Sequence, residues 1–115
     1  MLFHPTIKPP YYAVIFSNQL NDDDEGYAEM ADLMVELAQK QKGYLGMDST
    51  RNATGMGITV SYWQDLASIQ EWKKELQHLT AQRLGRERWY ADYHLHVAKI
   101  ERSYSLATSG FDHDK

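Results

Sequence analysis

Asn18 closes a largely apolar run, Tyr11 to Gln19, and a buried amide left unpaired there costs roughly 1–3 kcal/mol. Such an amide suits holding a substrate carbonyl. The plainer reading is a strand end that faces water or the following turn. Trp72 falls in the middle of a helical apolar stripe. It either packs the core or walls an aromatic pocket in which a phenolic ring stacks. The same two readings hold for Trp63, Trp89 and Tyr90, and Phe16 is a further wall candidate. Trp89 and Tyr90 precede the last strand, where they could close one end of the pocket. An imidazole such as His78 ordinarily has a pKa suited to a general base. At about 100° per residue, His78 lies about 140° from the centre of the stripe, facing solvent unless the helix re-aims after Glu75. Asn18, Trp72 and His78 are thus the candidate catalytic residues; Phe16, Trp63, Trp89 and Tyr90 are the candidate substrate contacts.

Other groupings carry less. His94 and His96 are two apart on a strand, so both point to one face. That is half a metal site, and no third ligand has matching spacing. Arg83, Arg86 and Arg88 form a basic cluster that pairs with the acidic turn Asp22 to Glu25, meets an anionic substrate, or is simply solvated. No phosphate-binding Gly-rich loop, nucleotide fingerprint, Gly-x-Ser-x-Gly elbow or helical His-Glu-x-x-His occurs. The absence of cysteine excludes disulfides, thiolate nucleophiles and zinc–thiolate or iron–sulfur sites. No metal and no cofactor are expected. A net charge of −4 without a basic stripe disfavours nucleic acid. No apolar run reaches the length of a membrane span, and Met1-Leu2-Phe3-His4-Pro5 lacks the regions of a signal peptide. The expected location is the cytoplasm.

The elements that must position these residues can be read in order. Residues 1–10 are expected to form an irregular arm, extended at Pro9-Pro10. Tyr11 to Gln19 reads as a strand apolar on both faces. Asp22 and Glu25 have capping-box spacing ahead of a helix striped by Tyr27, Met30, Ala31, Leu33, Met34, Leu37 and Ala38, with Gly43 as its C′ residue. Tyr44 to Ser49 is a second strand. A turn over 51–55 leads to a third strand, Met56 to Trp63. Asp65 caps a second helix with the stripe Leu66, Ile69, Trp72, Leu76, Leu79 and Arg83. Tyr93 to Arg102 is the last strand, and 105–115 is a polar, mobile tail.

The resulting βαββαβ order predicts a single α+β, ferredoxin-like domain over 11–104, with an antiparallel sheet and both helices on one face. The other face is apolar yet uncovered, which predicts a homodimer packed sheet to sheet.

Tyr12-Ala-Val-Ile-Phe-Ser-Asn18, Gly43-Tyr-Leu-Gly46, Ile58-Thr-Val-Ser-Tyr-Trp63, the helix with Trp72 and His78, Trp89-Tyr90, and Val97-Ala-Lys-Ile-Glu-Arg102 together resemble the antibiotic biosynthesis monooxygenase family. The resemblance spans roughly 11–104 and rests on the order of the motifs. It implies a dimeric α/β barrel and a cofactor-independent monooxygenase acting on a phenolic, quinol or polyketide-like substrate. The alternative class is a ligand-binding or stress-associated dimer without turnover. In the family's heme-degrading branch, the resemblance matches Asn18 and Trp72 to functional residues. The iron-ligating His of that branch corresponds to Gln82, a poor iron ligand, which argues against heme degradation.

Overall fold

A computed structural model describes residues 7–22, 26–82 and 90–106, with only the backbone of 77–82. The elements run β1 (Tyr11–Leu20), α1 (Tyr27–Gln39), β2 (Tyr44–Arg51), β3 (Met56–Trp63), α2 (Leu66–Gln82) and β4 (Tyr90–Ile100). They form one antiparallel sheet in the order β2-β3-β1-β4. The expected α+β, ferredoxin-like arrangement is therefore present, with β1 and β3 central.

Alternation along each strand sorts the side chains onto two faces. Tyr12, Val14, Phe16 and Asn18 of β1 pair with Trp63, Ser61, Thr59 and Gly57 of β3 on one face. The core forms there. Val14, Ala38, Trp63 and Ile69 are buried together, with Tyr12, Tyr44, Met47 and Trp72 packed around them. Ala38 belongs to α1, and Ile69 and Trp72 to α2, so both helices cover this face. The Trp63 indole, fully buried, donates from Nε1 to Ser61 Oγ at 2.9 Å. That bond explains a serine in the middle of an apolar strand: without it, an indole N–H would be buried unpaired.

Several local expectations need correction. The first two strands extend to Leu20 and Arg51, and the last spans Tyr90–Ile100. Helix α1 has no capping box. It enters through Gly26 at φ 84° with no side-chain cap, and this left-handed turn leaves Asp22 upstream of the cap position. Glu25 lies outside the described residues. Gly43 is not a left-handed C′ residue either; the helix ends at Lys40, whose N–H bonds back to Glu36 and Leu37. What Gly43 provides is room, since a Cβ there would collide with the Ser68 side chain. Leu66 proves half exposed, outside the buried stripe. Leu79 and Arg83 lie outside the described side chains. The Asp65 cap is present: its Oδ1 accepts from Ser68 N–H at 2.8 Å and Ser68 Oγ at 2.7 Å, and these bonds hold its carboxyl below the usual carboxylate range.

The opposite face of the sheet carries Tyr11, Ala13, Ile15, Ile58, Val60 and Tyr62, with Met56 48% and Ile58 43% exposed. Asp92, His94 and His96 lie on this same side of edge strand β4. His94 Nε2 is 3.5 Å from Asp92 Oδ2, both exposed, and among the described residues no group of three candidate metal ligands occurs. No described helix is long and apolar enough to cross a membrane.

Candidate functional site

Asn18 is only 3% exposed, on the helix-covered face near the end of β1. Its Oδ1 accepts a 2.7 Å hydrogen bond from Arg51 Nη2. A guanidinium has donors and no acceptor, so this contact fixes the orientation of the amide. The oxygen faces Arg51, and Nδ2 is left on the other side, buried without a partner. Arg51 also donates from Nη2 to Tyr27 Oη at 3.1 Å and from Nη1 to the Gly55 carbonyl at 2.6 Å, with its Cζ 5.4 Å from the centre of the Tyr27 ring. Tyr90 Oη donates to Tyr27 Oη at 3.4 Å. A chain of polar groups thus runs Asn18, Arg51, Tyr27, Tyr90.

Two β-bulges aim the ends of this chain. In β2, Tyr44 and Met47 both face the core, which strict alternation forbids. The register shift between Tyr44 and Gly46 absorbs one residue and puts Met47, Ser49 and Arg51 on the helix side. At the far end of β1, the register against β4 shifts between Gln19 and Leu20, so that Leu20 pairs with Tyr90. Tyr90 thereby turns to the helix side, edge-on to Phe16 at 5.4 Å and to Tyr27 at 5.7 Å. Tyr93, opposite Asn18 in the ladder, is 5.7 Å from Phe16 and 5.9 Å from Tyr90. Burial, reinforced by the Tyr27 hydroxyl, pushes the Tyr90 phenol well above its usual range, so it stays protonated.

The connection from β2 to β3 is wired to hold Arg51. Asn52 Oδ1 accepts from Thr54 N–H, Thr54 Oγ1 and Met56 N–H. Gly55, at φ 92°, closes the turn, and its carbonyl accepts from Leu20 N–H as well as from Arg51. Gln19 Nε2 reaches the Thr54 carbonyl at 2.7 Å. Gly57 completes the cradle: a Cβ at that position would lie 2.5 Å from Arg51 Cζ.

Toward the other end of the β1–β3 pair, Trp72 stacks on Trp63 with ring centres 4.8 Å apart and planes 29° from parallel. Its Nε1 is buried without a partner. The helix-covered layer therefore contains two orphaned N–H donors, Asn18 Nδ2 and Trp72 Nε1. Of the residues singled out from the sequence, Phe16, Asn18 and Tyr90 converge at one end of this layer, and Trp63 and Trp72 pair toward the other. His78 and Trp89 lie outside the described side chains. Arg51, Tyr27 and Tyr93 were not singled out; the bulges that place Arg51 and Tyr90 leave no mark in a two-residue period.

This fold, a βαββαβ sheet with both helices on one side, is that of the antibiotic biosynthesis monooxygenases. A Nitrosomonas europaea protein provisionally given that name superposes with a TM-score of 0.67 at 14% identity, over 84% of this chain and 95% of that one. SnoaB, a cofactor-independent oxygenase from Streptomyces nogalater solved as a mutant, superposes with a TM-score of 0.64 at 10% identity, over 81% of this chain and 95% of its own. In sequence, the chain is 48% identical over 97 residues to YqjZ of Bacillus subtilis (strain 168), covering 84% of this chain and 85% of that protein, which is described as uncharacterized. The chain belongs to the family of YqjZ. No family model matches it.

Proposed function

We propose that the protein is a cofactor-independent monooxygenase that oxidises an electron-rich phenol, quinol or polyketide-like ring system with dioxygen. The observation that carries this reading is the pair of buried, unpartnered donors, Asn18 Nδ2 and Trp72 Nε1, on the aromatic helix-covered side of the sheet. Each costs roughly 1–3 kcal/mol while unsatisfied, a cost a bound ligand oxygen removes. Loss of a proton from an activated CH₂ beside a phenol gives an anion that itself reduces dioxygen. One oxygen atom becomes a product carbonyl, the other leaves as water, and the substrate supplies all the electrons. The protein supplies orientation, exclusion of water, and donors to the charge that develops on oxygen. Asn18 and Trp72, toward opposite ends of the layer, are the proposed donors to different oxygens of an extended ring system, and Phe16, Trp63, Trp89 and Tyr90 are its proposed walls. Tyr90 is a neutral hydrogen-bonding group and not the base, since burial holds its proton. His78 is the proposed proton acceptor.

The test is dioxygen uptake with a panel of anthrones and quinols in metal-free buffer. Turnover by the wild type that falls in Asn18→Ala and Trp72→Phe supports the reading. Binding without uptake favours a ligand-binding protein instead.

The open sheet face supports a proposed assembly. Met56, Ile58, Val60 and Ile15 there are apolar, and the helices cover only the opposite side. The proposed occupant is the same face of a second copy, in a two-fold homodimer. Sedimentation at micromolar concentration should give twice the 13.3 kDa chain mass. Ile58→Asp should unfold the chain, and recovery of a well-folded monomer would count against an obligate dimer.

A further inference from the structure

We propose that Arg51 and Asn18 form an anion-recognition site, so that the pocket's ligand presents a negatively charged oxygen on an aromatic ring. This rests on the reading of the helix-covered pocket as a ligand site and specifies the ligand's charge. The guanidinium is half buried, and its three hydrogen bonds go to neutral oxygens: the Asn18 amide, the Tyr27 hydroxyl and the Gly55 carbonyl. Among the described residues no carboxylate pairs with it, although the chain carries 16 acidic residues. A partly desolvated cation without a counter-charge is costly, and a ligand anion relieves that cost. Arg51 has five N–H donors and commits three. It also sets the Asn18 amide so that Nδ2, orphaned and 97% buried by the residue's 3% exposure, is turned away from Arg51 and ready to donate. A buried water would satisfy Nδ2 equally but supplies no counter-charge to the guanidinium.

The surroundings select an aromatic carrier for that charge. Phe16, Tyr90 and Tyr93 present ring faces and edges within 6 Å of one another beside Asn18. Tyr93 and Leu95, on the helix side of β4, are 59% and 55% exposed, so aromatic and apolar surface continues outward from Asn18 along this strand. Two chemistries share the required feature, a ring carboxylate and a phenolate.

The experiment is calorimetric titration of the full chain, without dioxygen turnover, using naphthoate, its neutral methyl ester and naphthol. Naphthoate should bind roughly tenfold or more tightly than the ester, the scale of a hydrogen bond to a charged group. Arg51→Gln should remove that preference, read as the ratio of acid to ester affinity in the same variant. Asn18→Asp supplies a carboxylate partner for Arg51 at nearly unchanged shape, so it should remove the preference even if Arg51→Gln folds poorly. A naphtholate absorption band appearing on binding, at a pH where free naphthol is neutral, assigns the site to phenolates. Naphthoate preference without that band assigns it to carboxylates. No binding of naphthoate, equal affinity for acid and ester, or a preference that survives both variants overturns the proposal. Intact preference without dioxygen uptake removes only the oxygenase reading, and uptake of quinols without charge preference removes only this one.

Discussion

The guanidinium of Arg51 occupies the space that a side chain on Gly57 would need. The two residues face each other across the β2–β3 ladder, and only a residue without a Cβ leaves room for the fork to reach Asn18. Gly57→Ala should therefore act on the site more than on the fold. The atoms displaced are the far end of a flexible side chain, so the stability cost should be at the low end for overpacking, about 1 kcal/mol. Naphthoate preference should fall as in Arg51→Gln. A variant with unchanged preference would show that Arg51 finds another route to the pocket.

Trp72 and Asn18 separate packing from chemistry. Trp72→Ala removes a ring stacked on the buried Trp63 and should cost roughly 3–5 kcal/mol, read as a shift of the urea midpoint. Trp72→Phe keeps most of the apolar fill and should cost considerably less, yet it removes the Nε1 donor. Asn18→Ala removes an amide whose Nδ2 is already unpaired, so stability should change little beyond the lost bond from Arg51. Both milder variants should lower quinol oxidation. Full turnover in both would move the active pocket elsewhere.

Stability should decline at alkaline pH. Burial raises Tyr90 most, and burial together with Asp48 raises Tyr44 and Tyr62, all above the ordinary tyrosine value of 10.0. In each case the folded chain holds a proton that the unfolded chain releases first. The contribution is fully present below that ordinary value and is lost as pH climbs above it toward the folded pKa values. Urea midpoints measured across this rise should fall less steeply in Tyr90→Phe, which has no proton to lose. Parallel slopes would show that the Tyr90 phenol is not held neutral by the fold.

Hemin should be bound weakly, if at all, and left intact. Gln82 stands where the heme-degrading branch of the family that the sequence resembles has an iron-ligating His. With an electron donor and catalase present, the Soret band should persist. Its loss with release of iron would overturn this expectation.

The parts of the molecule that could be read in the sequence are those governed by a simple period. Tyr12, Val14, Phe16 and Asn18 do share one face of β1, Ile69 and Trp72 do point inward from α2, and Asp65 does cap that helix. What the period misses is what breaks it. Alternation counted from Tyr44 sends Arg51 to the open side of the sheet, and alternation counted back from Tyr93 does the same to Tyr90. Each is turned by one residue of bulge. Tyr27 looked like an ordinary member of the α1 stripe because its role depends on those two arrivals. The reverse case is Gly43, which resembled a helix stop and is spacing for Ser68.

The β2 bulge makes the direction of Arg51 a matter of chain length as well as composition. In a regular strand of this length Arg51 would fall on the open side of the sheet, and the extra residue between Tyr44 and Gly46 absorbs the odd step. A homologue that lacks that residue needs no bulge, and its arginine would keep the helix side. One residue gained or lost between Gly46 and Arg51 would instead turn the arginine to the open face, without altering any residue around Asn18. Among relatives, the gap pattern in this strand is the character to compare first.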